Sequence, residues 1–218
     1  MSTPIKTITP PRFSVAYTLL AMGFISSAAA WLLIAEPVLM FSNVEKHAGH
    51  FPLVFLHMLA GTLMLFLGLA NLYVGTTGKH FKYHKLIGRI YLIGGTIGAS
   101  VAIVITLSSA HKPSGAGTFT NGTVSLISLA TAWLIAAGMA YRAVKNMRYD
   151  SHQDWMIRSY VLVWSFVFCR IVSRIPGVEE LGGGSAFIWL SWVGPLIICE
   201  LALQWRDGGN LTKLNKTI

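Results

Sequence analysis

Charge is what this chain has least of. Only 11% of its 218 residues are Asp, Glu, Lys or Arg, where a soluble domain carries roughly a quarter. That shortage excludes an ordinary water-soluble domain. Cysteine is as sparse: Cys169 and Cys199 are the two in the sequence, and their different expected depths argue against an intrachain disulfide. The run Gly182-Gly183-Gly184-Ser185 lacks the lysine and the strand-to-helix setting of a phosphate loop. Glu45, His47 and His50 lack the His-Glu-x-x-His spacing of a zinc hydrolase. Neither a serine, histidine and acid set nor a glycine-rich dinucleotide fingerprint occurs, and internal repeats and low-complexity tracts are missing too. No small-residue cleavage site follows the first apolar stretch, so that stretch is expected to stay as a helix.

What the chain has instead is apolar length. Its hydrophobic fraction is 54% and its mean hydropathy +0.59. Six stretches approach the ~20 residues that a bilayer core requires, at about 14–35, 52–74, 87–109, 122–143, 156–175 and 185–205. The expected fold is therefore all-α: residues 1–218 as one integral membrane domain with six transmembrane helices in a lipid bilayer. The net charge of +9 has a pattern. Lys6 and Arg12, then Lys79, Lys82, Lys85 and Arg89, then Arg142, Lys145, Arg148 and Arg158, then Arg206, Lys213 and Lys216 fall in alternate segments. The positive-inside bias then puts both termini in the cytoplasm. No surface interleaves basic and aromatic residues in a way that argues for nucleic acid.

The chemistry worth arguing about is in the histidines. On this topology His84 and His152 begin the third and fifth spans on one side, at one depth. His57, with His47, His50 and His111, lies toward the other side. Two imidazoles from different helices at one level are what an axial pair for haem iron needs. Helical spacing puts Gly88, Tyr91, Gly95 and Gly98 on the face of His84, and Gly61, Met64 and Gly68 on the face of His57. Such stripes serve either a flat macrocycle or a close-packed helix. Trp155, Met156 and Ser159 follow His152 on its own face. Eighteen residues on stands Arg170, a whole number of turns away and roughly 27 Å along one face. Ionisable groups at such depths mark a functional site, and Arg89, Arg158 and Arg170 are suited to planar, charge-assisted pairing with propionates or other carboxylates.

The segments His57-Met58-Leu59-Ala60-Gly61, His84-Lys85-Leu86-Ile87-Gly88-Arg89-Ile90-Tyr91 and His152-Gln153-Asp154-Trp155-Met156-Ile157-Arg158-Ser159-Tyr160, with Arg170, resemble the domain-of-unknown-function family 2306. The similarity covers roughly residues 50–175. It implies a multi-pass, bacterial membrane protein with marked positions and no assigned reaction. The family's usual His-Arg is His84-Lys85 here, and Asn71 stands where a glutamine often ends the second helix. A looser likeness is to the cytochrome b561 and ferric-reductase-like group, which implies haem held between histidines. The expectation is a b-type haem protein of the bacterial inner membrane, a transmembrane oxidoreductase that moves electrons with a quinone or other redox partner. His84 and His152 would be the iron ligands, His57 a ligand or quinone contact, Arg89, Arg158 and Arg170 the propionate partners, and Tyr91, Trp155 and Met156 the lining. The alternatives are a proton-coupled carrier with a polar pocket at His57 and Arg170, or an accessory subunit of a membrane complex or homo-oligomer.

Overall fold

The computed structural model describes residues 51–110, 120–172 and 183–214, with Ile25 and Gly177 as single positions. Five long helices fill these segments: α1 Phe51–Thr77, α2 His84–Ala110, α3 Asn121–Lys145, α4 Tyr149–Val172 and α5 Gly183–Leu214. Their limits follow local chemistry. Gly78, at φ 69, follows α1 and returns its N–H to Val74 O at 3.0 Å, and a short 3₁₀ turn, Phe81–Tyr83, leads into α2. Thr120 caps α3 by accepting the Thr123 N–H on its hydroxyl. The links from α1 to α2 and from α3 to α4 are so short that each pair runs antiparallel.

Polar side chains on the outer faces turn inward on themselves. Thr96, Ser108 and Thr131 donate to the carbonyls of Leu92, Val104 and Ile127, each at 2.8 Å. In hydrocarbon that is the one economical way to satisfy an outward hydroxyl. Around them Ile93, Ile135, Leu190, Ile198 and Leu201 are all more than half exposed, an apolar surface that water would not tolerate and lipid accepts.

Inside, α1 packs on α2, α2 on α3, α3 on α4, and α4 back on α1, with α5 laid against α3 and α4. The core brings together Met64 and Leu65, Tyr91, Trp133, Tyr160, Leu162, Val163 and Val167, and Trp192. Gly95 and Gly98 face neighbouring helices. A Cβ on Gly95 would run into the Trp133 ring, and one on Gly98 would lie 2.9 Å from Ala60 Cβ, so this glycine stripe is a packing seam. Gly68 makes the same room for the Tyr160 ring.

The expected six transmembrane helices are not what the structure gives. Among the described residues four helical segments are long and apolar enough to cross: Phe51–Gly75, Phe81–Ser108, Asn121–Lys145 and Ala186–Trp205. The stretch expected at about 156–175 belongs to α4, which is not one of them. Asp150, His152, Gln153, Asp154 and Arg158 load its first half with polar groups. The stretch at about 14–35 lies outside the described residues except for Ile25, which is helical and buried. The placement of both termini in the cytoplasm rested on the count of six and is dropped with it.

Candidate functional site

Because α1 to α4 alternate in direction, the end of α1, the starts of α2 and α4 and the end of α3 lie at one end of the bundle. His84 opens α2 and His152 occupies the first turn of α4. The two imidazoles thus share a level. His152 directs Nδ1 to the Ala140 carbonyl on α3 at 2.9 Å. If Nδ1 carries the proton in that bond, the lone pair of the neutral ring is on Nε2. The His84 ring stacks on Phe81, with centroids 5.0 Å apart and planes 8° from parallel. It lies beside the Asn71 backbone, yet its buried Nδ1 completes no well-formed hydrogen bond. Gly75, one turn after Asn71, borders the same ring: a Cβ there would be in ordinary contact with His84 Cε1, at 3.6 Å.

The Asn71 side chain completes this layer. It is 5% exposed, its Oδ1 is buried without a hydrogen-bond partner, and its Nδ2 packs over Gly88. Two buried polar atoms, Asn71 Oδ1 and His84 Nδ1, are therefore left unsatisfied at this end of the bundle. Burial without a partner costs about 1–3 kcal/mol per group, so such atoms call for an occupant.

Deeper in, the polar groups are closed among themselves. Ser159 donates to Met156 O at 2.8 Å, so the 3.1 Å bond between Tyr91 and Ser159 is donated by the Tyr91 hydroxyl. Tyr160 donates to Leu65 O at 3.1 Å. Tyr91 is fully buried in the core and floors the histidine layer, and Met156 packs at its edge. At the far end His57 meets the Gly98 carbonyl through Nδ1 at 3.0 Å and stands edge-on to Phe166.

The arginines divide. Arg158 binds a carboxylate, but it is the chain's own: Nε and Nη2 make a two-pronged pair with Glu200 of α5, the second bond at 2.9 Å. Its guanidinium also lies 4.7 Å over the Trp155 ring. Trp155 also lines a cleft beside the α3–α4 turn. Arg89 is exposed at the histidine end, and the side chain of Arg170, like His47, His50 and His111, lies outside the described residues. No group of three or more His, Cys, Asp or Glu able to hold a metal ion occurs among the described residues, so any iron here would rest on two imidazoles.

Sequence reasoning missed Glu200, Ser125 and the buried role of Asn71. Glu200 had a signal, a single acid in the apolar run of α5, and an ionisable group in a membrane-spanning run asks for a named partner. Ser125 had none. It accepts the Trp192 indole N–H at 3.1 Å and ties α5 to α3, a contact between residues with no sequence pattern in common.

Lipid-facing helices around a buried polar layer define a multi-pass α-helical membrane protein. The chain matches, over residues 54–203, the family described as "Predicted membrane protein (DUF2306)", and it belongs to that family. The match runs through most of α5, beyond the limit near residue 175 read from the motifs. No curated protein and no solved structure matches, so the likeness to the cytochrome b561 group has no support from either comparison.

Proposed function

We propose that this protein is a b-type haem protein of the bacterial inner membrane, passing electrons within or across the bilayer with a quinone as lipid-soluble partner, and that His84 and His152 are the axial pair. The observation that carries the reading is two imidazoles at one level on the parallel helices α2 and α4, which stand across the bundle from each other with α1 and α3 between them, one with Nδ1 committed to a carbonyl. Iron-bound histidines are held in this way, with the second nitrogen fixed by a backbone or carboxylate acceptor. The donor set fits: His152 offers Nε2, and a small shift of the His84 ring toward the Asn71 carbonyl would satisfy its orphan Nδ1 and leave Nε2 likewise. Haem, when bound, supplies a one-electron couple whose potential depends on its axial ligands and on burial. Tyr91 and Met156 close the layer from below and keep water out. Arg89, with no ion pair among the described residues, is the arginine left for a propionate, since Arg158 is held by Glu200. His57 is assigned to the opposite end as a quinone contact.

The test is a reduced-minus-oxidised visible spectrum of the purified protein with pyridine-haemochrome analysis. A sharp α band is expected, lost in His84→Ala and His152→Ala while both variants still insert. Normal spectra in both variants would remove this ligand pair. A second reading is favoured by the orphan atoms Asn71 Oδ1 and His84 Nδ1, which suit a polar ligand or proton in a carrier. A colourless, iron-free, folded protein that loses transport in Asn71→Leu would decide for the carrier.

A further inference from the structure

A second polar feature lies at the same end of the bundle but on the turn between α3 and α4. Met147 adopts φ 57, a left-handed conformation that glycine favours and other residues rarely take, and Arg148 returns its N–H to Ala143 O at 2.9 Å. This is a helix-ending turn of the Schellman kind, and it folds Arg148 back onto the last turn of α3, which carries Arg142. Between the helices a cleft of about 210 Å³ is lined by Met139, Arg142, Ala143, Asn146, Arg148, Ser151 and Trp155.

We propose that this cleft is a phosphate site, with Arg142 and Arg148 as charge-assisted donors, taking the phosphate of an anionic phospholipid headgroup or free phosphate. Two arginines, an asparagine and a serine line it, and no acidic residue is among its lining. Neither arginine has an ion-pair partner among the described residues, whereas Arg158, one turn beyond Trp155, is neutralised by Glu200. Guanidinium groups without a partner at the mouth of a cleft have planar donors matched to phosphate oxygens. The walls suit a headgroup as well. The Trp155 ring, fixed by the Arg158 guanidinium over it, is an amphipathic side chain of the kind found at the membrane interface. Met139 continues the cleft along α3 toward Ile135, which is 57% exposed on the same face one turn deeper, where an acyl chain would lie.

The experiment compares the purified wild-type protein, R142Q/R148Q and K82Q/K85Q. The last removes two exposed cations from the same end of the bundle but outside the cleft. Each is exchanged into nanodiscs of phosphatidylcholine with phosphatidylglycerol, and lipid phosphorus retained after detergent washing is measured. Thermal midpoints are recorded in parallel in detergent with and without millimolar inorganic phosphate. The wild type and K82Q/K85Q retain phosphatidylglycerol, and R142Q/R148Q holds it at least about tenfold more weakly. A midpoint rise with inorganic phosphate in the wild type, absent in R142Q/R148Q, assigns the site to free phosphate, and retention without that rise assigns it to the lipid. If R142Q/R148Q behaves as wild type in both assays, or K82Q/K85Q loses as much, the proposal is overturned. Both arginines are exposed, so the variant folds, and a matched gel-filtration profile verifies it.

Discussion

At the scale of single residues the most consequential interaction is the one between Arg158 and Glu200. Two parallel hydrogen bonds lock α4 to α5, with the arginine side chain 16% exposed and the carboxylate 40%. Removing one partner strands the other charge beside apolar side chains, whereas removing both leaves nothing to solvate. Glu200→Gln is therefore expected to cost about 1–3 kcal/mol, below the ~3–5 kcal/mol of a fully buried pair because Glu200 is partly exposed. Arg158→Met/Glu200→Met should cost clearly less than the sum of the two single changes. Unfolding in detergent followed by tryptophan fluorescence gives all four values, and an additive double variant would show that the pair is not coupled. The histidine level was legible from sequence for a related reason. Charge alternation along the chain put the starts of two helices on one side, and that is where His84 and His152 stand. The carbonyl partner of His152 was not legible, because a backbone acceptor such as Ala140 O carries no signature in the side chain that bears it.

At the scale of the helix, neighbouring glycines do different things. Gly94 and Gly95 are adjacent in α2, yet a Cβ on Gly94 meets nothing within 4 Å and one on Gly95 strikes the Trp133 ring. Gly95→Ala is expected to lower stability by about 1–3 kcal/mol, the range for forcing extra bulk into a packed interior. Gly94→Ala should be neutral or stabilising by up to about 1 kcal/mol, since alanine is the better helix former. Paired melting curves decide this, and equal effects would mean that α2 does not press against Trp133. The same contrast explains what the sequence could and could not reveal. Periodicity grouped Gly88, Gly95 and Gly98 on one face, but only the position of Trp133 and Ala60 on other helices makes the last two a seam. Hydropathy also misjudged α4. The helix starts at Tyr149, where the apolar run was read from about 156, because its first two turns are polar and helical at once.

For the whole molecule, the candidate site and the attachment of α5 rest on different contacts. The layer of Asn71, His84, His152 and the Ala140 carbonyl belongs to α1, α2, α3 and α4, while α5 joins from outside through Trp192 on Ser125 and Glu200 on Arg158. A change that loosens α5 should therefore weaken the assembly and leave the histidine layer in place. Trp192→Phe tests this cleanly, because it keeps most of the apolar contact and removes one N–H. Buried Ser125 then loses its donor, at a cost of about 1–3 kcal/mol. If the proposed haem is bound, the expected result is a lower melting temperature with unchanged visible absorption per protein at room temperature. His152→Ala should do the reverse: it loses the absorption, while its melting temperature, compared with wild type prepared free of haem, moves less than that of Trp192→Phe. If Trp192→Phe also loses its chromophore while still folded, the site extends to α5, and the four-helix layer drawn from His84 and His152 is too small.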